Sequence, residues 1–165
     1  SLIQLDPQDG FDALSELSVL PSLTHLYLGA SPIGDLSPVQ GLVGLTTLSV
    51  IDAGISSLAP ISSLTQLDHL DVSFNLIDDL SPVSSLTLLQ TLSAANNDLS
   101  NVDALVGLSE LCFVDLSSNP ITSLTGLVDN PNFGAGCTLN LAGTGFSLEQ
   151  EDVQDLVSNG VTVSF

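Results

Sequence analysis

The sequence predicts an α/β solenoid, a right-handed coil with a parallel concave β-sheet and 3₁₀ turns on its convex side. Three observations predict this fold. Apolar residues recur with a 22-residue period, each period contains one short alternating segment, and the pattern changes only near the two ends. A period of this length is typical of a supersecondary unit that buries its apolar face by stacking on its neighbours.

Seven apolar columns keep the 22-residue step in register through five repeats. The first column is Leu20, Leu42, Leu64, Leu86 and Leu108. Seven columns in phase do not arise by chance, so each one marks side chains that point into the core. We therefore predict one domain, with an N-terminal half repeat or cap at 1–19, five regular repeats at 20–129, and an atypical last repeat with a helix-strand cap at 130–165.

The repeated unit, LxxLxxLxLxxNxIxxLxxL, matches the leucine-rich-repeat signature. The alternation within LxL predicts a short strand whose two apolar side chains point inward. The polar column that follows contains Asn75, Asn97 and Asn119, whose amides are expected to satisfy backbone groups at the turns of adjacent coils. Ser31 and Ala53 occupy this column in earlier repeats, and alanine has no amide, so we expect the coil of Ala53 to be looser or hydrated.

The second half of each unit is predicted to form the convex return. Ser37-Pro38 and Ser81-Pro82 look like an N-cap followed by proline at the first helical position, whereas Ala59-Pro60 keeps the proline without the cap. Because these segments are too short for regular helices, we expect 3₁₀ turns.

The N-terminal end is predicted to be an incomplete repeat. Phe11, Leu14, Leu17 and Leu20 match the second half of a unit, and residues 2–5 match its strand if that strand is shifted by one position. The chain begins at Ser1, and we expect a processed or trimmed product.

The C-terminal end departs from the repeat in another way. Leu139 and Leu141 match the preceding unit with a 25-residue step in place of the 22-residue one, which indicates a three-residue insertion near 132–136. Ser147 and Gln150 form a capping-box pair that predicts a short helix through Leu156. Asn159-Gly160 is expected to end this helix, and residues 161–165 alternate like a final strand.

The charge composition excludes some partners. The chain has 19 acidic residues and no lysine or arginine, where an average chain of this size carries roughly 20 basic residues. With no such cation to neutralise phosphates, binding to nucleic acid or anionic lipid is disfavoured. Trypsin-like proteases also find no cleavage site, which favours a protease-rich extracellular setting; the alternative is a halophilic or acidic-surface bias.

A net charge of −19 predicts strong self-repulsion. The melting temperature is therefore expected to rise with added salt, and to rise as pH falls towards about 5, because both changes weaken repulsion between exposed carboxylates. Differential scanning calorimetry across a salt series checks this prediction. A melting temperature that stays constant up to about 1 M salt would contradict it.

The two cysteines occupy matching positions in neighbouring coils. Cys112 follows Leu111, and the 25-residue offset places Cys137 in the same column of the next coil. Equivalent positions on neighbouring parallel strands lie about 5 Å apart, within the range that a disulfide spans. We predict a Cys112–Cys137 bridge; the alternative is two free thiols packed side by side.

The strand columns also predict which side chains face the concave surface. Most are small and hydroxylated, and the large exceptions are the candidate binding anchors. The candidate partner-binding residues are His25, Tyr27, Thr47, Ser49, Ile51, His69, Asp71, Phe74, Thr91, Ser93, Phe113 and Asp115. The alternative is a polar, solvated sheet face without a ligand.

Metal and catalytic sites are not predicted. His25 and His69 lie two coils apart, about 10 Å, which is too far for both to bind one Zn²⁺. Asp78, Asp79, Asp98 and Asp103 are expected to form a solubilising rim near the convex edge, because no dense calcium loop is present. The sequence contains no phosphate loop and no nucleophile elbow, so we expect neither enzymatic activity nor a cofactor.

Residues 75–83 and 119–121 resemble the 22-residue repeats of bacterial internalin-type and secreted leucine-rich-repeat lipoproteins. The resemblance covers about residues 11 to 146. It implies exposure at the bacterial surface and protein ligands bound on the concave face.

Two functional hypotheses follow. The first is a non-enzymatic extracellular or cell-surface recognition module that binds a protein or glycan partner on the concave face. The second is a structural subunit that self-assembles end to end into a filament or surface layer, since solenoid ends are natural stacking surfaces.

Overall fold

A computed structural model of the chain describes residues 2–5, 22–29 and 32–165. Within these ranges, eight strands form one parallel sheet in chain order. They are β1 (Leu2–Leu5), β2 (His25–Leu28), β3 (Thr47–Ser49), β4 (His69–Asp71), β5 (Thr91–Ser93), β6 (Phe113–Asp115), β7 (Thr138–Asn140) and β8 (Thr162–Ser164). Each strand pairs with the one before and after it in sequence, so the chain advances by one strand per coil, as the solenoid prediction requires.

The strand register matches the predicted repeat and its two irregularities. Leu26 lies opposite Leu48, exactly one repeat further along the chain, and the same step continues to β6. Leu2 lies opposite His25, one position more than a full repeat away, so the predicted shift of the first strand is confirmed. Val114 lies opposite Leu139, three positions more than a full repeat away, which confirms the predicted insertion.

The core is a column of aliphatic side chains enclosed by the coils. The leucine or valine at the centre of each of the strands β3 to β7 is buried, as are Leu26 and Leu28 of β2 and the apolar columns of the convex return. Phe133 takes the place of leucine in the column of Leu111, and the inserted residues follow it. The described residues do not include the predicted N-terminal half repeat, Phe11, Leu14, Leu17 and Leu20, or Ser31 of the asparagine column.

The asparagine column forms a buried ladder between coils, as predicted. The Oδ1 atom of Asn75 accepts hydrogen bonds from the N–H groups of Ala53 and Ile55, at 3.1 and 3.0 Å. Its Nδ2 atom donates to the carbonyls of Val50 and Val72, at 2.7 and 2.9 Å. Each amide therefore satisfies backbone groups of two successive coils. Ala53 is itself fully buried, and the looser packing of its coil stays a prediction.

Asn130 is a second kind of buried amide, and the sequence did not single it out. It occupies the position of Leu108 one repeat later, and its Nδ2 atom donates to the carbonyls of Leu105 and Leu108 at 3.0 Å. The amide thus satisfies backbone acceptors of the preceding coil just before the insertion begins.

The convex return consists of 3₁₀ turns, as predicted, in four of the described coils. They are Ser37–Val39, Ala59–Ile61, Ser81–Ser85 and Asp103–Leu105. In the next coil the same position is a short helix, α1 (Thr125–Val128).

The predicted capping of these turns was wrong by two residues. Ser37 and Ser81 are the first residues of their turns, and the leucines before them provide no side-chain cap. The acceptor is instead a polar side chain two residues before each turn, which receives the first N–H of the turn. These residues form a 22-residue column: Asp35, Ser57, Asp79, Asn101 and Ser123. Ala59, which was expected to lack a cap, donates to the Ser57 hydroxyl at 3.3 Å.

The C-terminal helix, α2 (Glu151–Ser158), begins later than the capping box predicted. The Ser147 N–H does donate to the Gln150 side chain, but Gln150 is the N-cap residue and makes no side-chain cap bond. The end was predicted correctly, because Gly160 adopts a left-handed φ of 89°. Val153 and Leu156 are fully buried, so α2 covers the last coil before β8 closes the sheet.

Among the residues that the structure describes, no helix has the length and apolar character needed to cross a bilayer.

Candidate functional site

Two rows of side chains cross the concave face. The first row is His25, Thr47, His69, Thr91 and Phe113, and the second row is Tyr27, Ser49, Asp71, Ser93 and Asp115. Within each row, neighbours lie on adjacent parallel strands, about 4.8 Å apart. Large or charged side chains alternate with threonine or serine from one strand to the next. The concave face therefore has raised positions on β2, β4 and β6, separated by small hydroxylated ones.

A shallow trough lies between the two rows, with a cavity volume of about 270 Å³. Leu48 and Leu70 form its floor, and the trough is lined by Tyr27, Thr47, Ser49, His69, Asp71, Thr91 and Ser93. The structure thus brings seven of the predicted concave-face residues together around one depression. Phe113 and Asp115 lie on the same face beyond the trough.

The two aspartates of the second row both fix the turn that follows their strand. Asp71 accepts the N–H of Ser73 at 3.0 Å, and Asp115 accepts the N–H of Ser117 at 2.9 Å. The second oxygen of Asp115 also accepts a hydrogen bond from Asn140 at 3.1 Å. Asp71 and Asp115 therefore share a position in the repeat but differ in how fully their carboxylates are bonded.

Each histidine contacts the residue before it in the chain. The Nδ1 atom of His69 lies 2.7 Å from a carboxylate oxygen of Asp68, and that of His25 lies 2.8 Å from the hydroxyl of Thr24. The His69 ring is about half exposed, so it presents its other edge to solvent at the trough. In the described part of the chain, no three His, Cys, Asp or Glu residues are arranged to bind a metal ion.

Phe74 and Ile51 lie beyond the ends of their strands rather than within the rows. Phe74 sits three residues after β4 with a left-handed φ of 60°, and the residue is 55% exposed. The same conformation recurs once per repeat, at Asp52, Asn96 and Ser118. Asp, Asn and Ser are small and polar, whereas a bulky side chain in this conformation is a strained exception. The sequence analysis did not predict this left-handed column.

Phe74→Asn is expected to raise the free energy of unfolding by about 1 kcal/mol, because asparagine tolerates left-handed backbone better than phenylalanine does. Asn96 already occupies the matching position one coil later. Urea denaturation measures the change. Phe113→Asn is the matched control, since Phe113 is also partly exposed but lies in the extended backbone of β6. If Phe113→Asn stabilised the protein equally, relief of backbone strain would not be the cause.

The convex acidic residues show a different chemistry. Asp78, Asp79 and Asp103 line an open polar depression together with Asn101. Hydrogen bonds from the hydroxyl and backbone N–H of Ser81 lower the pKa of Asp79 from its ordinary value of 3.8. The backbone N–H and hydroxyl of Ser37 likewise lower the pKa of Asp35.

These two shifts limit the expected stabilisation by acid. A carboxyl group whose pKa is lower in the folded state favours folding above its ordinary pKa, and this contribution disappears as pH falls through the lowered value. Asp35 and Asp79 therefore begin to oppose acidification only below about pH 3.8. Stability is expected to rise towards pH 5 as repulsion weakens, and the loss of these two contributions limits any further gain below about pH 3.8.

Cys112 and Cys137 are joined by a disulfide, with their Cα atoms 4.4 Å apart. The bond links the starts of β6 and β7 across the three-residue insertion, and Cys137 is buried. It therefore holds the atypical last repeat against the regular ones.

Three solved structures share this arrangement. Internalin C2 of Listeria monocytogenes matches 92% of this chain with a TM-score of 0.75 and 28% sequence identity. A second Listeria monocytogenes internalin, inlF, matches 92% with a TM-score of 0.76 and 24% identity. A leucine-rich-repeat protein of Leptospira interrogans matches 91% with a TM-score of 0.79 and 24% identity. The chain is a leucine-rich-repeat solenoid. Its resemblance to bacterial internalin-type repeats, expected from the sequence, is confirmed.

This solenoid spans 66%, 44% and 39% of the lengths of those three proteins, respectively. No protein-family model and no curated protein matches it.

Proposed function

We propose that this chain is a non-enzymatic protein-interaction module, exposed at a bacterial cell surface or secreted, whose partner binds the concave face. Its 165 residues act as one domain in this proposal, with the C-terminal helix and strand as a cap. The internalin-type neighbours support the class of function, and the basic-free composition supports the extracellular setting.

The observation that carries the proposal is the trough with the raised side chains around it. Interaction hot spots combine exposed aromatic side chains with well-formed pockets. Tyr27 and Phe113 are 37% and 39% exposed on the concave face, and Tyr27 lines the trough. Most other concave side chains are Thr or Ser, which a partner's backbone can approach closely.

Paired variants test where a partner binds. The double variant Tyr27→Ser/Phe113→Ser removes both concave rings, and Val43→Ser/Val106→Ser removes two exposed apolar side chains that lie outside the rows. Each is immobilised beside the unaltered protein and exposed to an extract of extracellular and surface proteins, and the captured proteins are identified by mass spectrometry. The proposal expects a protein that the concave variant loses and the control variant retains. Equal capture by both variants would overturn the concave assignment.

A second candidate function is end-to-end self-assembly. It is favoured by three exposed apolar side chains in or near the C-terminal helix and strand, Leu148, Val157 and Phe165. The net charge of −19 opposes it at low salt. Light scattering and negative-stain microscopy at high salt distinguish the two: fibres or rings favour assembly, and a dilute monomer favours recognition.

A further inference from the structure

The carboxylate of Asp71 is only half satisfied, although it lines the trough. Its Oδ1 atom accepts the Ser73 N–H, and within the described part of the chain no donor reaches Oδ2. Asp115, at the matching position two coils later, has both oxygens bonded, to Ser117 and Asn140. The turn after β4 therefore needs one oxygen of Asp71 and leaves the other available to an external donor.

Among the described residues, no basic side chain donates a hydrogen bond to this oxygen. The sequence contains no lysine or arginine, and the Nδ1 atom of His69 is already engaged with Asp68. The free oxygen of Asp71 is therefore open to a cationic donor from outside the chain. Charge-assisted hydrogen bonds of this kind are stronger than neutral ones.

The rest of the trough favours a long side chain with a flat cationic end. Tyr27 lies two strand spacings from Asp71 in the second row, roughly 10 Å away, with Ser49 between them. An aliphatic stem can lie over the small floor between these positions while its head group reaches the carboxylate. A guanidinium is more weakly hydrated than an ammonium and donates several hydrogen bonds in one plane. The Tyr27 ring lies too far from Asp71 to stack on the same head group, so it can contact only the stem.

We propose that the trough binds an arginine side chain of the partner protein. Asp71 Oδ2 accepts a hydrogen bond from the guanidinium, and the Tyr27 ring packs on the aliphatic part of the same side chain. The inference rests on the proposed function and adds the chemistry of the partner. Asp71 supplies the charge, and the hydroxyls of Thr47 and Ser49 provide further acceptors along the trough.

A peptide titration tests this proposal without knowledge of the partner. ¹⁵N-labelled protein is titrated at low salt with acetyl-Gly-Arg-Gly-amide, and in parallel with the citrulline peptide, which has nearly the same shape but no charge. Saturable shifts are expected at the backbone amides of Thr47, Ser49 and Ser73 with the arginine peptide only. Asp71→Asn should weaken binding at least tenfold, because it removes the charge while its Oδ1 atom can still accept the Ser73 N–H.

Asp52→Asn is the matched control. Asp52 lies outside the two rows and outside the trough lining, and Asn96 stands at the matching position two coils later, so the substitution removes one negative charge without altering the site. Affinity should stay within about twofold of the unaltered protein. Equal weakening by both substitutions would show general electrostatic attraction and overturn the site. Binding of the citrulline peptide, equally tight binding of a lysine peptide, or no shift with arginine would also overturn it.

This outcome can be separated from failure of the proposed function. A captured protein that needs Tyr27 and Phe113 but binds Asp71→Asn with unchanged affinity would refute the arginine site and leave the concave interaction standing. If no captured protein depended on the concave rings, the proposed function would fail whatever the peptide titration showed.

Discussion

Asn97→Ala is expected to lower the free energy of unfolding by about 3 kcal/mol, because it leaves a buried N–H unpaired and opens a small cavity. The Oδ1 atom of Asn97 accepts the N–H of Ile77 at 3.0 Å, and that group would lose this acceptor. Two carbonyls that accept hydrogen bonds from Asn97 would not be left unpaired, because each also accepts one from a neighbouring asparagine. Val72 also receives the Asn75 amide, and Ala94 also receives the Asn119 amide.

Urea denaturation with a two-state analysis measures this loss. Asn132→Ala is the control, since it makes the same chemical change at an exposed side chain and should stay within about 0.5 kcal/mol. A loss below about 1 kcal/mol for Asn97→Ala would mean that water or a backbone shift replaces the amide. In that case the asparagine ladder would determine the register of the coils rather than their stability.

The apolar part of this fold could be predicted from the sequence because the core repeats with the chain. Leu48, Leu70 and Leu92 occupy equivalent buried positions, so the same residue type recurs at each step. The shifted first strand and the insertion before β7 were predictable for the same reason: apolar columns that resume out of phase give the size of the offset. The disulfide pairing also followed, because both cysteines fall in one column.

The polar details were harder to predict because different residue types perform the same task. An oxygen acceptor two residues before each turn is supplied by Asp35, Ser57 and Asn101 in different coils, and these side chains do not look alike in sequence. The left-handed turn also accepts Asp52 and Phe74 at one position. A sequence repeat is recognised by the same residue type recurring at one position. It does not show a hydrogen-bond acceptor or a backbone conformation that several residue types can provide.

In the candidate site too, the face on which a residue lies could be predicted, but its hydrogen bonds could not. Alternation along each strand was enough to assign Thr47 and Ser49 to the concave face. The difference between Asp71 and Asp115 was not predictable, because it depends on whether a residue of the next coil supplies a donor. Asn140 does so for Asp115, and Ser93, at the matching position beside Asp71, makes no such bond within the described residues.

Loss of the Cys112–Cys137 bond is expected to cost about 3.5 kcal/mol of unfolding free energy, the chain-entropy value for its sequence separation of 25 residues. The loss should be concentrated in the last coils. Packing there relies on Phe133, Leu139 and the helix residues Val153 and Leu156. The bond joins this group covalently to the regular repeats.

The double variant Cys112→Ser/Cys137→Ser, and reduction of the unaltered protein, should give similar losses in urea denaturation. Reductant added to the double variant is the control and should change nothing. Hydrogen exchange should then quicken first in β7 and β8, because each solenoid coil is stabilised mainly by its neighbours and the bond joins these strands to the regular repeats. If reduction left stability unchanged and β7 fully protected, the packing of Phe133 and the cover by α2 would be sufficient to hold the last repeat.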